Sequence, residues 1–213
     1  MPFSIAFANL KLPQKGTVIL ATQKGGKLGK LGLELDKKTG GALTRAIKAS
    51  KFEGSAGSVM ELLAPAGTQL DRIVLAGVGE ASKLTAPDLE KCGGTILGAV
   101  EKAAGALTLI VEDLSGCKYK SGEIAARAGV GMCLRAYSFD RYKTKNKPGK
   151  KATKMTIATG DAASARKGFA ELEAIAQGTL LARDLVNEPS NILTPPEFAK
   201  RAKQLTKLGV KVE

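Results

Sequence analysis

The sequence contains no histidine. That excludes Ser-His-Asp and Cys-His nucleophiles and the H-E-x-x-H zinc site, so any catalysis would have to use Lys, Asp, Glu, Cys or Tyr. Cysteine is scarce. Cys92, Cys117 and Cys133 form no C-x-x-C pair and their number is odd, which fits neither a disulfide framework nor a zinc ribbon. Free thiols, buried or half-buried, in a reducing compartment are expected. Aromatic residues are only 4 % of the chain, which leaves few rings for stacking on bases. No apolar run approaches the roughly 20 residues that a membrane-spanning helix needs. The start, Met1-Pro2-Phe3-Ser4-Ile5-Ala6-Phe7, has neither a basic segment nor a long apolar one. No secretory leader is read there, and a cytoplasmic protein without a membrane partner is expected.

What is present is globular. The chain has 213 residues, 44 % of them hydrophobic, enough to bury a real core. Acids are outnumbered, 20 Asp and Glu against 33 Lys and Arg, for a net charge of +13. A surplus of that size attracts polyanions through its long-range potential and says nothing about fold. It is spread unevenly: between Lys11 and Lys51 the only acids are Glu34 and Asp36.

Strand and helix patterns alternate. Phe3, Ile5 and Phe7 alternate with small or polar residues, as in a half-buried strand. Thr17–Ala21, Val59–Leu63, Leu70–Ala76, Ala106–Val111 and Lys154–Thr159 read as further strands, Leu70–Ala76 as a buried central one. Helices are predicted near Asp36–Ala49, from the Thr85 cap through Val100, over Lys120–Tyr137, and from about Ala163 to Asn187. Thr85 with Asp88 forms a capping pattern, and the costly Gly93-Gly94 inside that helix implies close packing, expected against a sheet. The result is an α/β fold with a mixed, mostly parallel sheet flanked by helices.

Two glycine-rich stretches imitate nucleotide motifs. Gly25-Gly26-Lys27-Leu28-Gly29-Lys30-Leu31-Gly32 resembles a phosphate loop, but Leu31 stands where Ser or Thr is needed, so a flexible loop is expected. Gly77-Val78-Gly79 follows a strand but has Ser82 in place of the third fingerprint glycine, so a tight turn is expected. A third stretch is basic: Arg141, Lys143, Lys145, Lys147, Lys150, Lys151 and Lys154, with no acid among them and Tyr137, Phe139 and Tyr142 just before. Cations beside aromatics suit nucleic-acid backbone and bases, and these seven are the candidate DNA-binding residues; a solvated surface loop is the plainer reading. Acids are scattered. Asp184 and Glu188 share a helix face, but nothing has the donor density of a two-metal site, so no catalytic and no metal-ligating residue is assigned in this chain.

The chain is organised around Arg183-Asp184-Leu185-Val186-Asn187-Glu188-Pro189-Ser190-Asn191-Ile192-Leu193-Thr194-Pro195. Asn187 tolerates the left-handed backbone of a helix end, and Pro189 stops the helix. Thr194, Pro195 and Glu197 read as the cap, first position and capping-box acid of a new helix through Leu208, with Val210 and Val212 opening a strand. This stretch resembles the inter-domain segment of the leucyl aminopeptidase family. Leu70–Gly79 and Tyr137–Lys143 resemble the same family's N-terminal domain. The resemblance implies a macro-domain-like N-terminal domain over residues 1–189, followed over 190–213 by the truncated start of a second α/β domain. It implies a cytosolic exopeptidase that removes N-terminal residues from peptides with two divalent ions, manganese or zinc. The metal ligands would lie in a catalytic domain after this stretch, with no metal bound in these residues. It further implies packing and oligomer roles for the N-terminal domain, within a homohexamer. A basic nucleic-acid-binding module and a macro-like small-ligand module are the rival readings.

Overall fold

The computed structural model describes residues 3–103, 105–145 and 152–212. It contains two compact units, residues 1–176 and 177–213. In the first, six strands form one sheet: β1 (Ser4–Asn9), β2 (Lys15–Gln23), β3 (Val59–Leu63), β4 (Gln69–Gly79), β5 (Leu107–Val111) and β6 (Lys154–Thr159). Their order is β1-β6-β5-β2-β4-β3, all parallel except β3, which runs antiparallel to β4. Every strand read from the sequence is there except the terminal Val210–Val212, which forms none: Gly209 turns left-handed (φ 84°) and the described chain ends without a strand partner.

Side chains alternate across each strand, and the central strands are apolar on both faces because both are covered. One face carries Val18, Leu20, Ile73, Leu75 and Ile110 and packs against α1 (Lys30–Lys38) and α2 (Ala42–Ser50) through Leu35 and Leu43. The other carries Ile19, Val74, Leu109, Val111 and Ile157. It is covered by α3 (Ala86–Val100), α4 (Ser121–Arg135) and the start of α5 (Ala162–Asn187), with the Phe169 ring tilted against Phe7 at 5.4 Å between centroids. The expected single helix over Asp36–Ala49 is instead these two short helices. Gly40 and Gly41 take positive φ (61° and 78°) between them, which no continuing helix permits. The expected flexible loop at Gly25–Gly32 ends in helix, because α1 begins at Lys30.

The glycines of α3 do pack closely, but against α4 rather than the sheet. A Cβ on Gly93 would lie 2.0 Å from the Ala128 carbonyl oxygen, and one on Gly131 of α4 would lie 1.7 Å from the Glu90 carbonyl oxygen. Two helix backbones touch there. Arg127 then spans the pair, 3.1 Å from Glu123 and 3.3 Å from Glu90.

In the second unit α5 ends at Asn187, still helical rather than left-handed; its side-chain amide donates to the Arg183 carbonyl at 2.8 Å. The amides of Ile192 and Leu193 both donate to the Pro189 carbonyl, closing a tight corner before α6 (Pro195–Lys203). Gln204–Leu208 follows as a 3₁₀ turn instead of continuing the α-helix. Thr194 caps α6 by backbone alone. Glu197 does not close a capping box, because its carboxylate reaches forward to Arg201 at 3.1 Å. Arg201 also holds Glu188 at 3.0 Å, whose side chain is fully buried, the one buried residue among those described in 177–212.

Candidate functional site

In an open α/β sheet, ligands settle where strand C-termini point and successive connections leave on opposite faces. Here that place lies between β2 and β5. The chain leaves β2 toward α1 on one face, and leaves β5 toward α4 on the other. The next two residues after β5 are Glu112 and Asp113. Alternation continues past the strand: Ile110 faces the α1 side, and so does Glu112; Val111 faces the α4 side, and so does Asp113.

Each carboxylate then meets a helix N-terminus, where free amides and the helix dipole favour negative charge. Both oxygens of Glu112 accept the Leu31 amide in the first turn of α1, at 3.2 and 3.3 Å. The glycine-rich approach has a local reason: a Cβ on Gly29 would lie 2.2 Å from Glu112 Oε2. Asp113 Oδ1 accepts the Ser121 amide at 2.8 Å, and hydrogen bonds from Ser121 hold its carboxyl below the usual range. The imitation phosphate loop therefore already carries an anion, one supplied by the chain. A phosphate placed there would meet Glu112, which removes the anion seat that a nucleotide-binding reading requires.

The second glycine stretch is equally occupied. The Gly77 amide donates to the Ser58 carbonyl at 2.8 Å and the Gly79 amide to the Gly54 carbonyl at 2.9 Å. A Cβ on Gly77 would sit 2.2 Å from the Ser55 carbonyl oxygen, so these glycines admit the neighbouring loop's backbone rather than a ligand's. The N-terminus of α3 is closed by the Thr85–Asp88 capping box anticipated from the sequence. Beside it lies a cavity of about 250 Å³, lined among others by Lys83, Asp88, Lys91 and Cys92. That is below the roughly 300–1,000 Å³ of small-molecule sites. The cysteines are free thiols, and burial pushes both Cys92 and Cys133 up to about 11, which keeps them protonated and poorly nucleophilic. A wider cleft of about 880 Å³ lies near the opposite strand ends, between Leu10–Gln14, α1 and Gly67–Leu70; of its charged groups Lys11, Glu34 and Lys38, the last two pair with each other.

No three His, Cys, Asp or Glu side chains stand together among the described residues, so the donors present do not fit a divalent metal centre. Glu188, the acid of the Asp184–Glu188 pair that buries deepest, is committed to Arg201. Of the basic stretch, Lys147, Lys150 and Lys151 lie outside the described residues. Arg141, Lys143 and Lys145 are exposed in a turn after α4, and Lys154 is exposed at the first residue of β6. Lys143 pairs with Asp140 at 2.5 Å, Arg141 lies over the Phe139 ring at 5.8 Å, and Phe139 packs on Tyr142. The aromatics thus engage each other and a neighbouring cation.

The profile of the N-terminal domain of the cytosol aminopeptidase family matches residues 18–146, more than half of the chain. This chain belongs to the cytosol aminopeptidase family. A probable cytosol aminopeptidase of Afipia carboxidovorans is 42 % identical over 211 residues, covering 98 % of the chain but 42 % of that protein. One from Chelativorans is 43 % identical over 213 residues, again covering 42 % of its length. The chain thus spans less than half of the curated relatives it matches. Among solved structures, the bottromycin maturation enzyme BotP in complex with Mn is similar at a TM-score of 0.66 and 25 % identity, over 90 % of this chain and 36 % of that one. A tomato leucine aminopeptidase variant has the same fold at a TM-score of 0.76 and 22 % identity, over 97 % of this chain and 42 % of its own. Both likenesses agree with the six-stranded, mostly parallel sheet.

Sequence reasoning missed three of the residues that the fold puts to work. Glu112 and Asp113 had a signal, two acids directly after an alternating apolar strand, the position from which side chains reach both helix layers. Arg201 had one too: it stands four residues after Glu197 on α6, the spacing of a helical ion pair.

Proposed function

We propose that this chain is the N-terminal, non-catalytic part of a metal-dependent aminopeptidase that releases N-terminal residues from peptides. The observation that carries the reading is the family profile over residues 18–146, in a chain equivalent to 42 % of its relatives. In this reading residues 1–189 form the N-terminal domain with its long connecting helix, and residues 190–213 begin the catalytic domain. The metal pair, manganese or zinc, belongs to residues outside this chain, in keeping with a donor set here that does not fit one. The domain's own work is packing and homo-oligomer assembly, with the cytoplasm as its location. No described helix is long and apolar enough to cross a membrane.

The test is hydrolysis of a leucine chromogenic amide in the presence of Mn²⁺ or Zn²⁺. This chain alone is expected to give no metal-dependent turnover. A polypeptide extended to the relatives' full length is expected to hydrolyse the amide and to lose activity on chelation. Metal-dependent turnover by the 213 residues, or an inactive extended polypeptide, would overturn the proposal.

A further inference from the structure

The strand register leaves one connection without slack. β1 and β2 are parallel but stand apart, with β6 and β5 between them. Asn9 is level with Thr159 and Thr159 with Val111, while Ile110 is level with Leu20. From the end of β1 the chain must therefore return almost the whole length of β2, to Lys15, while crossing two strands. With a rise of about 3.3 Å per residue and a strand spacing of about 4.8 Å, that diagonal is about 20–25 Å. The steps from Asn9 to Lys15 reach about 20–22 Å at full stretch. Leu10–Gln14 is thus drawn nearly straight over the α1 side of the sheet, where Leu12 packs. Among the described residues no backbone hydrogen bond uses the amides or carbonyls of Lys11 and Leu12.

Between this crossover and α1 lies the cleft of about 880 Å³, a size that suits a bound molecule. Its apolar surface is Leu12 and Leu31, both half-buried, over the buried Leu35 and Leu70. Its charges do not cancel. Glu34 and Lys38 pair at 2.8 Å, whereas Lys11 is exposed and no ion pair among the described residues uses it. We infer that this cleft is a groove for a short extended peptide, held by its free C-terminal carboxylate. The straight Lys11–Leu12 backbone offers an edge on which a second extended chain forms main-chain hydrogen bonds. Alternate side chains of such a chain point the same way, so one set enters the leucines. The terminal carboxylate meets Lys11 in a charge-assisted hydrogen bond, the one charge complement that the cleft leaves open. Pro13 has no amide to donate and ends the edge, which keeps the paired stretch short. A crossover without slack has little freedom left to lose on binding, so the edge is pre-organised. The lining holds no aromatic ring on which a base would stack. The groove stands or falls without the aminopeptidase reading.

The experiment is fluorescence anisotropy of the peptide Ala-Leu-Ala-Leu, labelled with fluorescein on its N-terminus and titrated with the full 213-residue chain in EDTA. The same peptide with a C-terminal amide is expected to bind about fivefold more weakly, the worth of one exposed ion pair. Lys11→Gln, checked by its circular-dichroism melt, is expected to weaken the acid peptide by the same factor and to leave the amide peptide unchanged, so that the two changes are coupled. A peptide with serines in place of both leucines is expected to lose about tenfold or more. Hydrogen exchange locates the site: the Lys11 and Leu12 amides should exchange more slowly with Ala-Leu-Ala-Leu bound. Acid and amide peptides that bind alike, or a Lys11→Gln chain that binds the acid peptide as its parent does, would overturn the inference. So would equal binding of the serine peptide, or protection that appears elsewhere and not at Lys11 and Leu12.

Discussion

Gly131→Ala is expected to lower the thermal midpoint of the chain by about 4–8 °C. The added methyl would meet the Glu90 carbonyl oxygen at 1.7 Å. That oxygen is backbone, so no side-chain rotation relieves the clash and α3 must move off α4. Overpacking costs about 1–3 kcal/mol, and a clash with backbone lies at the upper end. Alanine gains back roughly 1 kcal/mol over glycine in a helix interior, which leaves a net loss of about 2 kcal/mol. Gly94→Ala is the control of opposite sign. Its methyl would have nothing nearer than the Gly131 carbonyl oxygen at 3.5 Å, an ordinary contact, so the helix-propensity gain of about 1 kcal/mol is kept and the midpoint rises. Thermal melts of the two variants should therefore move in opposite directions. A Gly131→Ala protein as stable as its parent would mean that the two helices do not touch through their backbones.

Arg201→Met is expected to loosen the corner of the second unit. Glu188 is buried with its carboxylate on Arg201, while Lys200, paired with Glu197 only at 3.8 Å, is 76 % exposed. The hydrogen bonds that Arg201 donates to Glu197 first, and then to Glu188, hold the guanidinium's proton more firmly than usual. Methionine keeps the length of the stem but leaves the buried carboxylate without this cation, an arrangement far more costly than losing a surface pair. Amides from Phe198 to Lys203 should exchange about tenfold faster or more in the variant, since local opening sets their protection. Lys200→Met should leave the same amides unchanged. Equal exchange in both variants would show that the corner is held by its backbone turn alone.

These two sites show where sequence reading succeeds and stops. The sheet was legible because each strand announces its burial: Val18-Ile19-Leu20 and Ile73-Val74-Leu75 are apolar at every position, as only a strand covered on both faces can be. The α3 cap was legible because Thr85 and Asp88 act locally, three residues apart. The same pattern at Thr194 and Glu197 misled, because a nearby cation offered Glu197 a stronger partner than a backbone amide. What stayed hidden depends on residues distant in the chain. Glu112 lies 81 residues from the amide it caps, so the glycine–lysine loop advertised a phosphate site without showing that an internal carboxylate fills it. Gly93 advertised a close approach but not its partner, because only the fold brings Ala128 alongside. The resemblance of Arg183–Pro195 to an inter-domain segment pointed to a family that the profile over residues 18–146 bears out.

The proposed function places the metal pair outside these residues, and manganese binding tests that most directly. Titrating Mn²⁺ into the purified chain and following the free-ion resonance by electron paramagnetic resonance separates the outcomes. With no three donors clustered among the described residues, the account predicts a free-ion signal that rises as it does in buffer. A saturable, stoichiometric loss of that signal, reversed by zinc, would place a metal site within these 213 residues and contradict it.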